Sequence, residues 1–109
     1  MTDTKANGSW KGWFMINPNT TDKHEVFYEV LTVHADGKMT GNGVNAQGKN
    51  FTVDGQINLD DLTLVYDKIV EGGPTIPHDG QINADFTQIT GTFTLESANM
   101  TGPYQLDLQ

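Results

Sequence analysis

The sequence predicts an all-β domain, an eight-stranded antiparallel up-and-down barrel, and three observations lead there. Apolar or glycine residues alternate with polar ones in SWKGWFMI, NFTVDGQINL, QITGTFTLE and PYQLDLQ, which is the two-residue period of a half-buried strand. No stretch sustains the 3.6-residue period of an amphipathic helix. The links between alternating stretches are too short for helical crossovers, so each strand is expected beside the next.

The strands are expected at 9–16, 25–34, 38–46, 50–59, 62–70, 75–83, 88–96 and 103–108, with residues 1–7 as a flexible N-terminal segment of a single domain. Turn signals separate them: Asn17-Pro18-Asn19, Asp36-Gly37, Gln47-Gly48, Asp60-Asp61, Gly72-Gly73-Pro74, Ala84-Asp85 and Asn99 to Gly102. Asp36-Gly37 carries the strongest hairpin signal and reads as a tight type I′ turn, in which both central residues take positive φ. Barrel closure is expected because an open sheet of this composition, with only six lysines to guard it, would leave unprotected edges. Glycines recurring on the inward face suit the coiling that closure requires.

The pentapeptide DGQIN occurs at Asp54–Asn58 and again at Asp79–Asn83, 25 residues on. Alternation puts Gly55 and Ile57, like Gly80 and Ile82, inward, and leaves the Asp, Gln and Asn of each copy facing water. The repeat therefore reads as a strand element used twice, not as a metal or sugar site.

At 109 residues the chain can bury one small core. Six lysines, no arginine and fourteen carboxylates give a net charge of −8, which argues against nucleic acid or an anionic membrane surface as partner. Without cysteine there are no disulfides or thiolate sites. The opening residues lack the apolar stretch of a secretory signal, so the default expectation is a soluble cytoplasmic protein. No cofactor is expected, and His24, His34 and His78 lack ligand spacing for a metal.

With the strands placed, the inward residues resemble calycin-type barrels, the group of lipocalin-like, fatty-acid-binding and avidin-like domains. The resemblance is carried by Trp10, Gly12 and Trp13; Gly37, Gly41 and Gly43; Gly48, Phe51, Val53 and Gly55; Leu64, Tyr66 and Lys68; Ile76, His78 and Gly80; Ile89, Gly91 and Phe93; and Gly102, Tyr104 and Leu106. It is similar in particular to a poorly characterised calycin-like domain, from which Asn45, His78 and Phe93 depart where an acidic residue, an aromatic and a tryptophan are usual. The resemblance implies a barrel able to hold a small ligand; no match to a biotin site is found.

The expected interior comprises Trp10, Phe14, Ile16, Phe51, Val53, Ile57, Leu64, Tyr66, Ile82, Ile89, Phe93, Leu95, Tyr104 and Leu106. Trp10, Phe14, Tyr66, His78, Phe93 and Tyr104 are the candidate ligand-binding residues, with His78 as a polar handle that could also serve as a general base near neutral pH. Lys68 and Glu29 read as solvated charges. In the stretch Val26–Val33 both alternating sets are apolar, so Trp13, Met15, Phe27, Tyr28 and Leu31 are expected on an outer surface suited to a homodimer or another protein.

Three functions stay open at this point. The leading one is a non-catalytic module holding a small apolar or amphipathic ligand in the barrel. The second is a protein-interaction or homo-oligomerisation module with a filled core. The third is a small barrel enzyme of cyclase or isomerase type, with His78 or a tyrosine as acid or base.

Overall fold

The computed structural model, which describes residues 4–15, 23–45, 48–95 and 100–109, is a closed barrel in which each strand pairs antiparallel with the next. The strands are β1 (Thr4–Phe14), β2 (His24–His34), β3 (Lys38–Val44), β4 (Asn50–Asn58), β5 (Thr63–Val70), β6 (Thr75–Ile82), β7 (Gln88–Leu95) and β8 (Met100–Leu108). The sheet closes through β1 and β8, from Trp10 opposite Leu108 to Phe14 opposite Tyr104. The eight-stranded up-and-down barrel expected from the alternation is thus the observed fold.

Three boundaries differ from expectation. Positions 4–7, expected as a flexible segment, belong to β1, where Thr4 lies opposite His34 and Asn7 opposite Thr32. β8 starts at Met100, so much of the turn expected from Asn99 to Gly102 is strand. At Asp36-Gly37 only Gly37 takes positive φ, +95°, so the turn is not type I′. Instead the Gly37 N–H donates to the His34 carbonyl at 2.9 Å, a three-residue loop closed by its glycine. Ile16 and the Asn17-Pro18-Asn19 turn lie outside the described residues.

The core runs along the barrel axis and includes Trp10, Val26, Tyr28, Leu31, Val33, Met39, Phe51, Ile57, Leu64, Tyr66, Ile89, Phe93, Tyr104 and Leu106. Most of these follow simple alternation; β2 does not. Between Gly8–Leu31 and Trp10–Tyr28 one residue of β1 faces two of β2, and between Tyr28 and Val30 the β3 side has no residue opposite Glu29. This is a β-bulge, and it places both Glu29 and Val30 outward. Val26 and Tyr28 before it, and Leu31 and Val33 after it, therefore all point inward. Tyr28 and Leu31, expected on the outer surface, are 1% and 0% exposed inside the barrel, because the extra residue shifts the phase of the strand.

DGQIN also turns out to do more than alternate. Asn58 Oδ1 accepts the Asp60 N–H at 2.9 Å, starting the β4–β5 turn. Asn83 Oδ1 accepts from the Thr87 and Gln88 N–H groups at 2.8 and 3.1 Å, and its Nδ2 donates to Thr87 Oγ1 at 2.9 Å. Each of these turns carries one apolar residue at positive φ, Leu62 at 63° and Phe86 at 58°, packed against the core. The strained backbone aims a hydrophobic side chain back at the barrel, and the preceding Asn satisfies the turn's amides. The glycines serve strand approach: a Cβ at Gly80 would strike the Thr90 carbonyl and come within 3.0 Å of the Tyr104 hydroxyl.

Candidate functional site

Leu59, Leu62, Phe86 and Leu108 pack against the core at the end of the barrel where β2, β4, β6 and β8 finish. The opposite end, where β1, β3, β5 and β7 finish, contains a cavity of ≈ 310 Å³. This volume falls at the lower edge of the range for small-molecule sites. Its walls are Phe14 from β1, Val70 from β5, Ile76 from β6, and Phe93 and Leu95 from β7, with Gly73 and Pro74 at the rim. Asn45, Lys49, Lys68 and His78 supply its polar atoms. Larger depressions on the outer wall, such as the one of ≈ 950 Å³ lined by Gln56, Asn58, Thr63, Gln81 and Thr90, are open to solvent and offer little apolar enclosure.

Of the six candidate ligand-binding residues, the structure brings Phe14, His78 and Phe93 to this cavity. Trp10, Tyr66 and Tyr104 are buried but do not line it. Tyr66 lies directly behind His78, with its ring stacked on the imidazole at 4.6 Å between centroids. Its hydroxyl shares a 2.9 Å hydrogen bond with the Tyr28 hydroxyl. Tyr104 donates to the Asp79 carbonyl at 3.0 Å. Burial raises the pKa of all three phenols, so they stay protonated at physiological pH. The Trp10 indole N–H is buried without a hydrogen-bond partner among the described residues.

His78 is 5% exposed, and its Nδ1 lies 2.9 Å from the Ile76 carbonyl. A carbonyl can only accept, so Nδ1 carries the proton and Nε2 keeps the lone pair. Burial, reinforced by the charge of Lys68, pushes the imidazole down to about 3 against the opposing pull of the Ile76 bond. His78 is therefore a neutral, oriented ring at neutral pH, not a base poised near 7 as its residue type alone suggested.

Lys68 is the residue that sequence reasoning misplaced. Read as a solvated charge, it is 6% exposed and belongs to the inward set Leu64, Tyr66, Lys68 and Val70 of β5, whose burial alternates without interruption. The signal was present in the period and was overridden by the residue's charge. Its ammonium sits 5.3 Å from the Phe14 ring centroid and 5.1 Å from that of Phe51. Loss of hydration pushes its pKa down to about 8, and among the described residues no carboxylate contributes to the shift. Glu29, its supposed companion, is exposed on the β2 bulge.

On the outer surface, Trp13 is half-buried under the Lys23 ammonium, 4.4 Å from the ring centroid. Met15 is likewise half-buried. Phe27 and Val30 stay exposed on β2, and Val65 and Ile69 on β5. Among the described residues no group of three His, Asp or Glu side chains is arranged to hold a metal ion. Comparison with protein-family models, with curated proteins and with solved structures finds no match to this chain.

Proposed function

We propose that this calycin-like barrel is a non-catalytic module that holds a small amphipathic molecule, with the apolar part in the cavity and the polar end against Lys68. The observation that carries this reading is a nearly buried ammonium at an apolar cavity of ≈ 310 Å³, faced by aromatic rings and by no described carboxylate. A cation kept out of water without a counter-ion is costly. A bound polar group would relieve that cost, and the apolar walls would supply affinity through buried area. Ligand-observed NMR with a medium-chain alcohol such as hexanol tests it. Wild-type protein is expected to bind, and Ile76→Trp, which fills the cavity, to bind at least ten-fold more weakly. Equal binding by both would refute the proposal.

A second reading rests on Phe27 and Val30, 42% and 39% exposed on the outer face of β2. It makes β2 the contact strand for a second copy or another protein. Sedimentation of a strict monomer at high concentration would remove the homodimer version. A cyclase or isomerase using His78 as general base is disfavoured by the burial that holds its pKa near 3.

A further inference from the structure

We propose that the Lys68 Nζ is an imine-forming amine, and that the cavity's ligand class includes short aliphatic aldehydes. This rests on the binding reading above and names the chemistry of the polar end. The geometry begins with position: Lys68 lies opposite Val53 of β4 and Ile76 of β6, so its side chain enters the barrel between two apolar neighbours. Among the described residues its charged and titratable neighbours are few. His78 comes from β6, Lys49 from the segment after β3, and Tyr66 from β5 itself, while β4 offers Phe51 and β1 offers Phe14.

Hydrogen-bonding capacity around the amine then selects between polar ends. A carboxylate has two oxygens that must both be satisfied when it leaves water. Here the His78 Nδ1–H is committed to Ile76 and the Tyr104 hydroxyl to Asp79, while Tyr28 and Tyr66, whose hydroxyls share one hydrogen bond, do not line the cavity. Among the described residues the other polar groups of the lining, Lys49 and Asn45, are exposed and half-buried, so a carboxylate seated at the buried Lys68 would meet that one cation at depth and leave an oxygen desolvated at a cost. An aldehyde presents one oxygen and an electrophilic carbon, which one amine can engage.

The chemistry needs no further reactant. The Nζ lone pair forms a C–N bond to the carbonyl carbon while the C=O π pair moves to oxygen, and a proton passes from nitrogen to that oxygen. The resulting carbinolamine loses its hydroxyl with the remaining amine proton as water, leaving C=N with no change in oxidation state. Apolar walls favour this loss of water. The protonated imine would remain a cation facing the Phe14 and Phe51 rings, an arrangement those rings stabilise. The lowered pKa supports the same role: at pH 7.5 about a quarter of a lysine with this pKa is free amine, against about one part in a thousand for an ordinary one.

The test incubates the full chain with hexanal and cyanoborohydride at several pH values, and maps the added hexyl group by peptide mass spectrometry. Lys68 is expected to be alkylated at least ten-fold faster than the other lysines at pH 7.5, with a rate that climbs from pH 6.5 and levels off above about 8. Excess hexanol should slow it. Lys68→Arg, which keeps a cation without a free amine, should abolish the fast phase, as should Ile76→Trp, which keeps the amine but fills the cavity. Alkylation no faster at Lys68 than elsewhere, while hexanol still binds by NMR, overturns the amine role and leaves the binding reading standing. Failure of both hexanol binding and selective alkylation overturns both. A fast phase that survives in Ile76→Trp also overturns the inference, because the cavity would then play no part.

Discussion

Replacing Lys68 by Met should make the barrel more stable, and by an amount that depends on pH. In the folded chain the ammonium has its pKa pushed down to about 8, whereas in the unfolded chain it returns to about 10.4. Between those values the unfolded state holds a proton that the folded state has released, so stability of the wild type rises with pH across this window. Below about pH 8 the whole penalty is present, about 3 kcal/mol. Two cation–π contacts, with Phe14 and Phe51, return about 0.5–1 kcal/mol each. Methionine keeps the length and apolar contacts of the side chain without the charge. Lys68→Met is therefore expected to gain about 2 kcal/mol at pH 7, a rise in Tm of roughly 9 °C for a domain of this size. By pH 9.5 the penalty has fallen to about 1.5 kcal/mol and the folded amine is largely neutral, so the cation–π contacts no longer offset it and the advantage of the variant should be smaller than at pH 7. Urea unfolding of both proteins at pH 7.0, 8.5 and 9.5 measures the difference directly. A variant that is less stable at pH 7, or whose advantage does not shrink as pH rises, would show that Lys68 is not a desolvated cation.

Other changes probe the frame around the site. Asn83→Ala removes a side chain that makes three hydrogen bonds in the β6–β7 turn and should cost about 1–2 kcal/mol; Asn58→Ala, losing the bond to Asp60, should cost less, and chemical denaturation that reversed the order would contradict these roles. Gly91→Ala would drive a methyl into the Asp79 carbonyl of β6, so loss of cooperative folding or a drop of more than about 3 kcal/mol in urea is expected. Tyr66→Phe leaves the buried Tyr28 hydroxyl without its partner and should cost about 1–2 kcal/mol, read from thermal unfolding.

Alternation made the barrel legible because nearly every strand buries one face and wets the other. In β4, β5 and β7 the inward residues Phe51, Val53, Ile57, Leu64, Tyr66, Ile89 and Phe93 stand where a period of two puts them. β2 was unreadable by that rule, since an inserted residue leaves no mark in composition: the two half-strands are each regular and only their junction is not. In the site, Phe14, His78 and Phe93 were accessible from pattern alone. Lys68 was hidden by the reasonable expectation that charges face water, although its own strand kept strict phase around it. The shift of His78 was out of reach for a different reason, because it depends on burial and on the nearby Lys68, an environment that exists only once the barrel closes.

The bulge in β2 bears on how the chain finds its pairing. A regular strand that slips by one residue exposes its whole apolar set, and one that slips by two restores it, so slippage by two is cheap in side-chain terms. β2 has two apolar pairs, Val26 with Tyr28 and Leu31 with Val33, set three residues apart across the junction. No straight alignment buries both pairs at once. Like the two scales of a vernier, they coincide at a single setting, and β2 can lie between β1 and β3 in that alignment alone.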